Sequence, residues 1–263
     1  MNFVDTHTHL YAEEFDADRK EIVEKAIKNG VNQMFLPNID VNSIQPMLNL
    51  AWDFPEHCFP MMGLHPCSVD QHVEAHLFQI RKWFKKRKFW AVGEIGLDFY
   101  WSVEFKEQQI SAFKKQILWA IQDNLPIVIH SRNSTDEVIA IIQEMKHPLL
   151  RGIFHCFSGN AQQAQQIIDL GFYLGIGGVL TYKNSGLDLA IAGIDLKHMV
   201  LETDAPYLAP VPFRGKRNES FYILEIAKKL AIIKQAGVQQ VANITTANAY
   251  KVFGFHDIEN GSQ

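Results

Sequence analysis

A chain of 263 residues with 47% apolar content is long enough to bury a sizeable core, as one large domain or two small ones. Twenty-five basic residues against 29 acidic ones leave a net charge of −4, which excludes a broad basic surface coating nucleic acid but not a local basic cleft. Three widely spaced cysteines, Cys58, Cys67 and Cys156, with no CxxC pair, exclude a disulfide framework and a thiolate zinc site.

In chain order, the apolar start Phe3-Val4 predicts a strand that leads to His7 and His9. In a strand the i, i+2 spacing puts both imidazoles on one face, roughly 7 Å apart, where they can grip one metal ion with further ligands from elsewhere. Such pairs are also ordinary surface features, so the pair alone decides nothing. Residues 16–29 predict an amphipathic helix with Ile22, Val23, Ala26 and Ile27 on one stripe and Gly30 past its end. A strand at 31–36, a helix at 43–52 and a strand at 58–64 follow, the last running into His65-Pro66. The helix at 72–88 ends in the basic run from Arg81 to Lys88; cations are favourable near a helix C-terminus, so a solvated face is expected there.

The second half predicts strands at 89–95, 126–130, 151–157, 172–176 and 198–202, and helices at 105–123, 136–146, 161–170, 187–192, 219–234 and 238–253. Ile127-Val128-Ile129 and Met199-Val200-Leu201 are apolar on both faces, as strands covered by helices are. Eight strands separated mostly by helices, with no linker or composition break, predict one (β/α)₈ TIM barrel spanning residues 1–263 as a single domain. An open doubly wound sheet would usually carry a Gly-rich phosphate loop after the first strand, and the sequence has none there. No secretory leader and no membrane-length apolar run are present, so a cytoplasmic protein without membrane association is expected, and no obligate protein partner is evident.

In such a barrel, catalytic groups sit where the strands end. Those places carry His7 and His9, then His65, Glu94 and Asp98, His130 and Arg132, His155, and finally Glu202 and Asp204. Each alone has a structural explanation, as a turn residue, a satisfied core histidine or a loop carboxylate. Together they are costly to bury without a cation or mutual pairing. His7, His9, His130, His155, Glu94 and Asp204 are too many for one four-coordinate ion and suit two ions sharing a carboxylate. Barrel adjacency gives His7, His9 and Asp204 to one ion, His130 and His155 to the other, and Glu94 to the bridge. Glu202, with the side-chain parity of Asp204, is expected to orient a ligand imidazole, and Asp98 to stand behind the ligands as well. Asp5, with the parity of His7, invites the same expectation, while Cys156 should simply pack.

The motifs Asp5-Thr6-His7-Thr8-His9, Gly63-Leu64-His65-Pro66, Val92-Gly93-Glu94-Ile95-Gly96-Leu97-Asp98, Ile129-His130-Ser131-Arg132, His155-Cys156-Phe157-Ser158-Gly159 and Glu202-Thr203-Asp204-Ala205-Pro206-Tyr207 resemble, in order, the TatD family of metal-dependent deoxyribonucleases. The likeness extends through Gly178–Asn184 and Arg214–Asn218 to the terminal helix. It implies an amidohydrolase-like barrel with two divalent metal ions (zinc, manganese, cobalt, nickel or, less comfortably, magnesium) on the same six ligands, acting on phosphodiesters. Two departures, Phe213 where relatives often carry histidine and Ser220 where proline is common, bear on substrate preference. The expected activity is a 3'-5' exonuclease-type deoxyribonuclease acting on DNA strand ends, with Asp204 positioning the attacking water and taking its proton. His65, Arg132, Lys183 and Arg214 are expected to hold phosphate oxygens. The alternative is a hydrolase of a small-molecule amide, lactone or ester on the same centre.

Overall fold

Short apolar strands alternate with amphipathic helices eight times around the chain, and the computed structural model, which describes residues 1–255, closes them into a barrel. The strands are β1 (Phe3–Asp5), β2 (Val31–Leu36), β3 (Cys58–Pro60), β4 (Val92–Asp98), β5 (Ile127–Arg132), β6 (Gly152–Phe154), β7 (Tyr173–Ile176) and β8 (Met199–Leu201). The helices that follow them are α1 (Arg19–Lys28), α2 (Ile44–Asp53), α3 (Val73–Trp83), α4 (Lys106–Asp123), α5 (Thr135–Glu144), α6 (Ala161–Asp169), α7 (Leu187–Ile191) and α8 (Ile223–Ile233), with α9 (Val238–Phe253) added at the end. All neighbouring strands run parallel, in a β1-β2-β3 ladder and a β4-to-β8 ladder.

Backbone hydrogen bonds beyond the regular ladders close both seams. Trp90 N–H donates to Pro60 O, Met62 N–H to Ala91 O and Gly93 N–H to Met62 O, joining the β3 and β4 sides. Thr6 N–H donates to Leu201 O and Asp204 N–H to His7 O, joining β1 to β8.

The interior is filled at the end where the strands begin. Val4, Phe35, Phe59, Val128, Ile153 and Val200 point inward and pack with Ala249, Val252 and Phe253 of α9. Phe253 stacks on Phe35 with ring centroids 3.7 Å apart, and Thr246 and Tyr250 hydrogen-bond to Asn2 and Gln33 at the strand starts. The terminal helix therefore plugs one mouth of the barrel and leaves polar chemistry to the other. Among the described residues, no helix is long and apolar enough to cross a membrane.

Several boundaries differ from the sequence expectation. β1 stops at Asp5 and β6 at Phe154, so His7, His9 and His155 lie just past their strands. The helix expected to run to residue 88 stops at Trp83, and the chain turns there with Arg87 N–H bonded back to Trp83 O. β4 runs from Val92 to Asp98, which places Glu94 inside the strand rather than near its end. That register depends on Gly96: its φ is +145°, and an added Cβ would meet His130 O at 2.0 Å. Only glycine lets β4 and β5 approach so closely at the level of His130, its partner across the ladder.

Candidate metal centre

Past the end of β1 the chain leaves regular strand geometry but stays pinned to its neighbours. Thr8 N–H donates to Phe35 O and His9 N–H to Ala205 O, which turns both imidazoles into the open mouth. His7 Nε2 and His9 Nε2 lie 3.2 Å apart. Both face Glu94 Oε2, at 3.2 and 3.7 Å, and Asp204 Oδ1, at 3.7 and 3.5 Å. Asp204 adopts φ +57°, held by its own N–H on His7 O and by the buried Asn218 amide, which donates to Thr203 O and Tyr207 O on either side.

The other oxygen of Glu94 faces a second group. Oε1 lies 2.9 Å from His130 Nδ1, 3.4 Å from His65 Nε2 and 3.7 Å from His155 Nε2. His155 Nε2 is also 3.8 Å from Asp204 Oδ1, and the His155 ring stacks on His7 with centroids 3.5 Å apart, so the two groups share a wall. The structure thus gathers His7, His9, Glu94, His130, His155 and Asp204 around one carboxylate, and adds His65 beside them.

What stands behind each imidazole decides which nitrogen faces inward. Tyr11 O–H donates to Pro37 O at 2.5 Å, so its oxygen can only accept from His9 Nδ1–H at 2.9 Å. His9 Nε2 is then the nitrogen with the free lone pair. Asp98 Oδ2 lies 2.8 Å from His130 Nε2 and fixes the proton there, which leaves the His130 Nδ1 lone pair toward Glu94. Glu202 Oε1 lies 2.9 Å from His155 Nδ1 and also accepts from Cys156 N–H at 2.5 Å. His65 is arranged the other way: its Nδ1 accepts from Cys67 N–H at 3.1 Å, so the neutral ring carries its proton on Nε2 and is a donor at the centre. Asp5 departs from the expectation that it orients a ring: its carboxylate accepts from Thr203 N–H, from Thr203 O–H at 2.6 Å and from His7 N–H. It ties the strand-one and strand-eight loops together through the backbone.

The electrostatics match a site built around cations. Inner nitrogens of His9, His130 and His155 point at one another's neighbours and at two carboxylates; His7 Nδ1 has no hydrogen-bond partner among the described residues, and His155 Nδ1 meets Glu202 only as an ion-pair contact. Without a cation such an array must hold protons. Burial lowers His7, with His155 adding to the effect, and burial also lowers His65. Burial opposes the charged forms of His130 and His155 as well, but Asp98 and Glu94 outweigh it at His130, and Glu202, Glu94 and Asp204 push His155 up to about 10. Burial would raise Glu94, yet the surrounding imidazoles hold it well below the carboxylate range, and Asp204 is lowered in the same way. A divalent ion replaces those protons with one centre of charge. Sets of donor atoms close enough to hold an ion include His7 with His9 and Glu94, His7 with His155 and Asp204, and His65 with Glu94 and His130.

A cavity of about 600 Å³ opens above these donors, within the range of small-ligand sites. Its lining includes His65, Cys67, Arg132, Trp101, Tyr207 and Leu208. Arg132 ends β5, and its guanidinium lies 3.9 Å over the Tyr100 ring. Lys183 and Arg214 do not line this cavity; Arg214 sits 4.4 Å over the Tyr182 ring. Cys156 lines a smaller cavity beside Arg132 and Asp204 instead of merely packing. Of the two unusual loop residues, Phe213 stacks on Tyr222 at 3.9 Å, and buried Ser220 places its hydroxyl 3.1 Å from Thr8 Oγ1, between the two strand-one histidines. Sequence reasoning missed Tyr11, Asn218 and the aromatic lining. The spacing His7-x-His9-x-Tyr11 was the available signal for the first; nothing local marks the others.

The chain matches the family model described as TatD related DNase over residues 4–254. It is 35% identical over 250 residues to YabD of Bacillus subtilis, named an uncharacterized metal-dependent hydrolase, covering 95% of this chain and 98% of that one. It is 32% identical over 255 residues to a protein of Salmonella typhimurium named 3'-5' ssDNA/RNA exonuclease TatD, covering 95% and 98%. Among solved structures, the TatD homologue YjjV of Escherichia coli superposes with a TM-score of 0.90 at 29% identity, covering 96% and 98%. The chain belongs to the TatD family of metal-dependent hydrolases, on the (β/α)₈ barrel that family uses.

Proposed function

We propose that the chain, as one catalytic domain, is a two-metal phosphodiesterase that removes nucleotides from DNA strand ends in the 3'-5' direction. One observation carries the reading: His9 and His130 have their outer nitrogens engaged by Tyr11 and Asp98, His155 Nδ1 faces Glu202 at 2.9 Å, and the inner nitrogens of all three turn toward the two oxygens of a single buried carboxylate. His7, His9, Asp204 and Glu94 would hold one ion, and His130, His155 and Glu94 the other. Bound there, zinc, manganese, cobalt, nickel or magnesium would activate water and polarise a phosphoryl oxygen.

The chain's own residues supply the rest. Glu94 is 2% exposed and bridges the two donor groups, so it fixes their spacing. The Asp204 side chain is more open than that of Glu94, 13% against 3%, and its carboxylate positions the attacking water and accepts its proton. His65, neutral with its proton on Nε2, donates to a phosphate oxygen over the second group. Arg132 binds a second phosphate oxygen from the cavity wall. Lys183 and Arg214, outside the cavity lining, are reserved for phosphates further along the strand. Cys58, Cys67 and Cys156 are free thiols, which suits the cytoplasm as the compartment.

A concave mouth admits a strand terminus more readily than the middle of a duplex. Closed circular single-stranded DNA compared with a linear strand of the same sequence tests this. The linear strand is expected to be degraded and the circle spared; equal rates on both would make the enzyme an endonuclease.

A further inference from the structure

Two aromatic walls flank the cavity, and the hydrolytic chemistry uses neither. The segment after β4 exposes Trp101 by 68%, and the segment after β8 exposes Tyr207 by 46%; both rings line the cavity that holds the donors. β4 and β8 stand four strands apart in a closed eight-stranded barrel, so these walls face each other across the mouth. Leaving an indole in water forgoes apolar burial, and a large exposed ring beside a reactive centre marks a contact surface.

Both segments that carry these rings are held in place from below. Tyr207 N–H donates to Asp204 O, Tyr207 O accepts from the Asn218 amide, and the phenol ring stands 5.9 Å from His9 at 63°. On the other wall Tyr100 N–H and Trp101 N–H both donate to Asp98 Oδ1, the carboxylate that also holds His130. Arg132 lies over both rings there, 3.9 Å from the Tyr100 centroid and 5.1 Å from that of Trp101. A phosphate-binding cation and two flat π-faces are thus fixed to the same elements that fix the metal donors.

We propose that Trp101 and Tyr207 stack on the bases on either side of the scissile phosphate and so select unpaired nucleotides. This rests on the phosphodiesterase reading above. Bases inside a duplex have both faces covered by neighbours, whereas those of a single strand or frayed end are free to leave their stack. Ring stacking tolerates every base, so the selection is for single-strandedness rather than sequence.

The test uses the metal-loaded protein in two assays. In the first, a short dye-labelled single strand with phosphorothioate linkages is bound and followed by the anisotropy of its dye, beside a strand of equal length and charge with abasic sites at its 3' end. The unmodified protein is expected to favour the strand with bases. W101A is expected to lose about 5- to 150-fold in affinity for it, the loss of one stacked base, and W101F to recover most of this. In the second, the ratio of kcat/KM for single-stranded DNA to that for the same strand with abasic nucleotides at its 3' end should fall in W101A. Equal affinity for the two strands, or equal losses on both substrates, overturns the stacking proposal. Base-dependent binding through Trp101 with no hydrolysis under any metal overturns the phosphodiesterase reading instead and leaves the stacking assignment standing.

Discussion

Tyr11→Phe separates the orientation of a ligand from its presence. The substitution removes one oxygen from a side chain that is 4% exposed, so the ring still fills its place and no cavity opens. Two hydrogen bonds go with it. Pro37 O loses its donor, a stability cost of about 1–3 kcal/mol for an unsatisfied buried carbonyl, present with or without metal. His9 Nδ1 loses the acceptor that fixes its tautomer, which adds to the stability cost and also weakens metal binding. Loss of such a partner behind a ligand imidazole typically weakens metal affinity by about 10- to 100-fold. Competition against a chelator gives the metal affinity, and melting of metal-depleted protein gives the stability cost alone. A variant that melts lower while binding metal with unchanged affinity would refute the claim that Tyr11 sets the His9 lone pair.

Glu94→Ala removes the carboxylate shared by both donor groups, so metal content is expected to fall at both, whereas His130→Ala should empty mainly the second. Identical residual metal in the two variants, by elemental analysis, contradicts that division. Metal affinity should rise with pH through the neutral range. His155 is raised to about 10 in the metal-free chain by Glu202, Glu94 and Asp204 acting against burial, so at pH 7 an incoming ion must displace its proton. One displaced proton gives about a tenfold gain in affinity per pH unit below that value. Calorimetric titration in buffers of different ionisation enthalpy reads the proton release directly, and none released contradicts the expected protonation of the empty site.

The eight-fold strand–helix alternation, the terminal helix and the gathering of polar side chains at one barrel mouth were legible because strand ends are marked locally. Apolar runs stop, and a histidine or carboxylate follows. The exact strand ends were not legible. β1 stops at Asp5, yet residues 6–9 keep bonding to Phe35, Leu201 and Ala205, so the histidines hold their places without strand dihedrals. Parity therefore failed for Asp5, whose partners lie on the loop after β8, some 198 residues away in sequence. Parity served Glu202 better: its side chain reaches across β7 at Gly175, where an added Cβ would meet it, to His155 two strands away. Arg132 was placeable because it shares a strand with His130. Lys183 and Arg214 belong to irregular segments, and no periodicity says which way such side chains turn. The facing of Trp101 and Tyr207 is likewise a product of barrel closure, invisible in either motif alone.

Titration of metal-depleted protein with manganese or zinc, while following hydrolysis of a 5'-labelled single DNA strand, tests the centre most directly. The account predicts shortening of the strand from its 3' end, with activity reaching its plateau at about two equivalents of metal per chain. A plateau at one equivalent, or no hydrolysis of the strand with either metal, would contradict it.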